Sequence, residues 1–140
     1  MTVELYKAVS VECLKVCPKA RMYRNNIPQD FKVPCFLVTV TDTQAQRKLF
    51  NSLQIRQSMD VSYFPASGKE ERLFECEKMK EEMMRAFDVI GSDGLSFYVT
   101  GKNANVTDDV LHFMFDVIYK EKKITNEPII EDISTNITEE

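Results

Sequence analysis

Catalytic and cofactor chemistry is where this sequence is poorest. It has one histidine, no tryptophan and only four glycines. Those glycines stand in neither the G-x-G-x-x-G nor the G-x-x-x-x-G-K spacing that brings backbone amides close to a phosphate chain. The four cysteines, Cys13, Cys17, Cys35 and Cys76, include no C-x-x-C pair. Cys13 and Cys17 lie one helical turn apart and could supply half of a metal site, but no second half follows, so buried structural thiols are expected. Glu70-Glu71 and Glu81-Glu82 are carboxylate pairs only in sequence, because adjacent helix positions point apart. No catalytic residue, metal or cofactor is therefore expected.

Other absences narrow the setting. There is no N-terminal signal peptide and no apolar run long enough for a membrane span. With scattered cysteines as well, the expected place of synthesis is a reducing cytoplasm, with no membrane association. The sequons at Asn105 and Asn136 then meet no glycosylating enzyme. Basic stretches are short (Arg21 to Arg24, Arg47-Lys48 and Lys120 to Lys123), which argues against a phosphate-neutralising surface and against nucleic-acid specificity. The formal charge of −4 is unevenly placed: residues 124–140 carry five acids and no Lys or Arg, which leaves the body at +1.

What the chain does have is a strand pattern with apolar residues on both faces. In Val110 to Tyr119, alternation sends Leu111, Phe113, Phe115, Val117 and Tyr119 one way and Val110, His112, Met114, Asp116 and Ile118 the other. A small domain readily covers one such face with its helices. The other needs a second layer or a second subunit, so Phe113 and Phe115 are expected beneath the helices and Met114 and Ile118 at an interface. His112, within the same strand, is expected to be a satisfied or interfacial imidazole.

The remaining elements follow from periodicity. Leu5, Tyr6, Val9, Cys13, Val16 and Cys17 recur at helical spacing, and Pro18 stops that helix. Arg21 to Arg24 reads as a short strand, and Asn25 to Pro34 as an extended loop with a buried or partner-facing Phe31. Cys35 to Thr41 reads as a strand with Phe36, Val38 and Val40 on one face. A turn is expected at Thr41 to Gln44, and Arg47 to Phe64 as one long strand or a pair. In its second half Ile55, Gln57, Met59, Val61 and Tyr63 face one side. Ser67 and Glu70 have capping-box spacing, which starts a second helix with an inner stripe of Cys76, Met79, Met83, Ala86, Phe87 and Ile90 and a stop at Gly91. Phe74 lies off that stripe. Leu95 to Thr100 is a strand, joined to the last one through 101–109, where Thr107 to Asp109 must bend.

The fold class expected is α+β, an antiparallel or mixed sheet with two helices packed on one face, as one domain over residues 1–123. Residues 124–140 are expected to be an acidic, flexible arm whose spaced isoleucines, Ile129 and Ile130 among them, dock onto a neighbour.

Three passages in order, Ile27 to Phe31 leading to Pro34-Cys35-Phe36, Asp60 to Pro65, and Asp109 to Phe113, resemble the small tail terminator proteins of tailed phages and prophages of Gram-positive bacteria. The chain departs from that family's pattern at Phe50 to Leu53, where a Gly-Asn-Arg-aromatic turn is common, and at Asp108-Asp109, where Asp-Gly is common. The resemblance implies a structural virion protein made in the bacterial cytoplasm. It also implies a homo-oligomeric ring, usually of six, that caps the head-proximal end of the tail tube, ends tube polymerisation and offers a docking face to the head connector. The partners so implied are further copies of the chain, the tail tube protein and the head–tail connector protein. Candidate assembly residues are Phe31, Phe50, Phe74, His112, Met114, Ile118, Ile129 and Ile130. A head-completion or neck protein is the alternative within assembly. A small ligand-binding domain or enzyme using a cavity near Cys13, Cys17 and His112 is the alternative of another class.

Overall fold

The computed structural model describes residues 2–122. Two helices and eight segments of regular structure in all appear in the order α1 (Thr2–Val16), β1 (Arg21–Arg24), β2 (Cys35–Arg47), β3 (Ser52–Phe64), α2 (Arg72–Ala86), β4 (Val89–Ser92), β5 (Leu95–Thr107) and β6 (Val110–Lys122). The strands form one six-stranded sheet in the order β1-β2-β3-β6-β5-β4. It is mixed: β1 runs parallel to β2, while β5 runs antiparallel to both β4 and β6. The fold is α+β, as the sequence pattern indicates. The described residues fall into two compact units, residues 2–44 with 56–119, and residues 45–55 with 120–122.

Within the first unit the core is built where the alternation of β6 places it. Leu111, Phe113, Phe115 and Val117 are all buried, together with Met59, Val61 and Tyr63 of β3 and Phe36 and Val38 of β2. The helices contribute Leu5, Tyr6, Ala8, Val9 and Cys13 from α1, and Cys76, Met79 and Met83 from α2, to the same cluster. Both therefore bury their apolar stripes in one core, which is how an amphipathic helix is stabilised beside a sheet. Phe87 sits against Phe113 and Phe115 with ring centroids 5.1 and 5.4 Å away, in the edge and tilted arrangements that aromatic quadrupoles favour. The buried polar Gln57 is satisfied. It donates to the Tyr119 hydroxyl at 3.2 Å and to Thr2 Oγ1 at 3.3 Å, and accepts from Thr43 at 2.6 Å.

Several local readings need correction. The expected turn at Thr41 to Gln44 is strand, since β2 continues to Arg47. The chain reverses instead at Leu49 to Ser52, where Phe50 and Asn51 take φ of 61° and 60° and the Ser52 amide donates to the Leu49 carbonyl. Two more tight turns share that left-handed pair, Asp93-Gly94 (54° and 81°) and Asp108-Asp109 (53° and 61°). Two consecutive left-handed residues match the twist of the flanking strands, and Asn, Asp and Gly tolerate them best. The segment 101–107, expected to be a loop, belongs to β5. Gly101, at φ 63°, marks a bulge between Thr100 and Asn103 rather than the strand's end.

Helix α2 also differs. It begins at Arg72, one turn later than the spacing of Ser67 and Glu70 suggests, and its N-cap Glu71 makes no side-chain capping bond. It ends at Ala86, so Phe87 and Ile90 reach the core from beyond the helix, and Gly91 is no helix stop. Gly91 lies in β4 opposite Ser96, where a Cβ would come within 2.5 Å of the Leu95 carbonyl oxygen.

Candidate assembly surfaces

The face of β6 turned away from the helices carries side chains that the core does not use. His112, Met114, Asp116 and Ile118 are all half-buried, alternating with four buried neighbours. Much of this face is polar and internally paired. The Arg56 guanidinium donates to Asp116 Oδ2 at 2.6 Å, and the Ser58 hydroxyl donates to Asp116 Oδ1 at 2.7 Å. His112 Nδ1 lies 3.2 Å from Ser62 Oγ and 3.4 Å from Asp60 Oδ2. Ser62 and Asp60, both on β3, are thus the polar neighbours of the His112 ring. Asp60 Oδ1 is buried and has no hydrogen-bond partner among the described residues.

The apolar members of the same face sit beside these pairs. Ile118 is directly opposite Tyr98 in the β5–β6 register, and Met114 is opposite Asn103. Directly opposed residues project from the same side, so Tyr98 and Ile118 form an outer cross-strand pair. Tyr98 is 73% exposed. Periodicity could have singled it out, because the buried Phe97 beside it requires Tyr98 to face the other way.

The remaining candidates lie elsewhere. Phe31 is half-buried and packs edge-on against Phe64 at 5.2 Å, beside a cavity of about 240 Å³ that Val33, Pro65, Arg72 and Asp109 also line. Phe74 is 71% exposed in the first turn of α2, next to the exposed Leu73. In the second unit, Phe50 occupies the tip of the β2–β3 turn and is 92% exposed, with Leu49 before it also exposed. Ile129 and Ile130 lie outside the described residues. Leu49 and Leu73, both exposed, adjoin the candidates Phe50 and Phe74, and strand phase marks Tyr98 as outward.

A carboxylate fixes the approach to α2. Glu75 accepts hydrogen bonds from the Tyr63 hydroxyl at 2.5 Å, the Ser67 amide at 3.0 Å, the Ala66 amide at 3.1 Å and the Ser67 hydroxyl. Burial alone would raise this carboxyl, but the hydrogen bonds from Ser67, Tyr63 and the Ala66 amide outweigh it and hold it below the ordinary value. Tyr63 is pushed up, first by burial and then by its bond to Glu75. No capping box forms: Ser67 lies four residues before the N-cap Glu71 and bonds to Glu75 rather than to Glu70.

The cysteines behave as packing residues. Cys13, Cys35 and Cys76 are buried and Cys17 is half-buried, all as free thiols. Burial pushes Cys35 and Cys76 up to about 11 and Cys13 further still. Thiols held in the protonated form are poor nucleophiles and poor metal ligands. Among the described residues no group of three or more His, Cys, Asp or Glu could hold a metal, and no helix is long and apolar enough to cross a membrane. A groove of about 590 Å³ lies along α1 and β1, lined by Tyr6, Val11, Leu14, Met22, Arg24 and Asp93 among others. Its Arg24 guanidinium is stacked 5.0 Å from the centre of the Tyr6 ring.

No curated protein matches the chain. Solved structures do match, among them one that is 11% identical, with 90% of this chain and 95% of that chain covered and a TM-score of 0.41. A family model described as phage tail terminator protein matches residues 4–129.

Proposed function

The chain belongs to the phage tail terminator family, a family of structural tail proteins, and from that premise we propose that copies of it close into a ring, six in number, on the head-proximal end of the tail tube. The ring ends tube polymerisation and presents a docking face to the head connector. In this reading residues 124–140 form an arm that reaches a neighbouring copy, and Phe31, Phe50, Phe74, His112, Met114, Ile118, Ile129 and Ile130 serve contacts between subunits or with tube and connector.

The observation that carries the proposal is the division of labour in β6. Its inner residues are consumed by the core, yet its outer face keeps Met114 and Ile118, the latter beside a Tyr98 that is 73% exposed. Apolar groups left out of the core next to paired charges are what a subunit contact uses, since the charges set register while the apolar groups supply burial. Among the described residues, neither Met114 nor Ile118 belongs to the core cluster or packs against it.

Met114→Lys and Ile118→Lys test it. In the free subunit either lysine extends into water at little cost, whereas in a closed ring an unpaired buried ammonium costs several kcal/mol. Circular dichroism should show a folded protein, and electron micrographs of particles made with the variant should show overlong or headless tails. Normal infectious particles would remove this face from the interface.

A further inference from the structure

Among the described residues, the short strands β1 and β4 pair with only part of the long strands β2 and β5, leaving a stretch of each unpaired on its outer side. β1 pairs with β2 only over Cys35 to Val38, and the Asn25 amide adds one bond to the Val38 carbonyl. β4 pairs with β5 only over Leu95 to Tyr98, and the Val99 amide adds one bond to the Asp88 carbonyl. Among the described residues no further backbone hydrogen bond reaches the outer edge of β2 beyond Val38 or that of β5 beyond Val99. Each open stretch, Thr39 to Arg47 on one side and Thr100 to Thr107 on the other, spans roughly 25–30 Å of strand.

The direction of the free groups on β5 follows from the turn that ends it. Asp108 and Asp109 form a two-residue connection, so Thr107 and Val110 are its closing hydrogen-bonded pair. Thr107, Asn105 and Asn103 accordingly turn their amides toward β6. Val106 and Ala104 turn theirs outward. On β2 the Val38 carbonyl already points to the edge, so Val40 is the next residue whose backbone groups do so.

Monomeric proteins blunt such edges with proline, bulges or charge. Here neither open stretch contains proline, and the bulge at Gly101 sits at the start of the β5 stretch, which leaves Asn103 to Thr107 regular. The charges are Asp42 and Arg47 on β2 and Lys102 on β5, and the Lys102 ammonium is already partnered within the subunit, bonded to the Met84 carbonyl and to Asp88, both at 2.7 Å. The two edges are of similar length, unlike in sequence and on opposite sides of one sheet. A contact between them is head-to-tail, the class that closes into a ring when its rotation divides a circle.

We propose that the open edge of β5 in one copy pairs with the open edge of β2 in the next, continuing the sheet from subunit to subunit. The inference rests on the ring proposed above and specifies which backbone groups join it. It also assigns the occupant: a second copy of this chain, because the chain carries both halves of the contact.

Hydrogen exchange of the full-length protein tests it, comparing the free subunit with assembled tails. In the free subunit the amides of Ala104 and Val106 should exchange quickly and those of Asn103, Asn105 and Thr107 slowly. On assembly only the first set should change, slowing by at least about tenfold. Ala104→Pro removes one outward amide while leaving the bonds to β6 intact. It should remain folded by circular dichroism and fail to close rings. Rings in which Ala104 and Val106 exchange as fast as in the free subunit would overturn the edge pairing and leave the ring reading standing, and so would normal rings from Ala104→Pro. A single copy of wild-type protein on finished tails would overturn both. Protection of these amides by tube protein alone, with no ring, would assign the edge to a different partner and overturn the pairing between copies.

Discussion

Replacing Glu75 should expose how much the approach to α2 depends on one carboxylate. Glu75→Ala removes the acceptor for four donors at once: the Tyr63 hydroxyl, the Ala66 and Ser67 amides and the Ser67 hydroxyl. The donors of Ala66 and Ser67 can turn to water, so each lost bond costs well under about 1 kcal/mol, while a tyrosine hydroxyl stranded in the interior costs about 1–3 kcal/mol. Tyr63 is 2% exposed. The expected loss is roughly 3 kcal/mol, which moves a urea midpoint by about 1.5 M for a domain of this size. Glu75→Gln keeps the shape and removes the charge, and so isolates the pH dependence. The folded carboxyl lies below its ordinary 4.5. A group lowered on folding adds stability that is fully present above the unfolded value and is lost as pH falls through the folded one. The gap between wild type and Glu75→Gln, followed by urea unfolding with circular dichroism, should therefore be widest near about pH 7 and close toward about pH 3. A gap that is constant across that range, or a loss below about 1 kcal/mol for Glu75→Ala at neutral pH, would refute the account.

Two further substitutions probe the turns. Phe50→Gly relieves a bulky residue held at φ 61° and 92% exposed, so it should raise thermal stability by about 1 kcal/mol while weakening tail completion in an infectivity assay. A stability loss would mean that the ring packs within its own subunit. Gly91→Ala forces a Cβ to within 2.5 Å of the Leu95 carbonyl and should destabilise by about 1–3 kcal/mol in the same urea assay; an unchanged midpoint would show that the β4–β5 turn yields freely.

Legibility in the sequence followed burial. The two faces of β6 could be read because one of them fills the core, and β1 could be read because arginines bracket it within a short alternating run. The far half of β2 could not, because Thr41 to Gln44 face no core and carry no apolar alternation, so their polarity imitates a turn. The true turn was disguised by a phenylalanine at a left-handed position that glycine or asparagine would normally signal. β4 was absorbed into the preceding helix since Phe87 and Ile90, three residues apart, satisfy helical spacing as well as they fit the edge strand that follows. The exposed Tyr98 shows the converse limit: strand phase assigns its side of the sheet but does not tell whether a partner covers it.

The place of β6 between β3 and β5 also governs when the molecule can fold. The β5–β6 hairpin is local and needs only its own two-residue turn, whereas β3 and β6 must find each other across bonds such as Ser62 to His112 and Arg56 to Asp116, 50 and 60 residues apart in sequence. During synthesis at about 5–20 residues per second, β3 therefore waits roughly 2–10 s for its central partner to be made. Through that interval its Met59, Val61 and Tyr63 have no Phe113 or Phe115 to pack against, and its backbone edge toward β6 is unpaired. The last strand completes the core, so the nascent chain is at its most aggregation-prone just before its own final hairpin emerges.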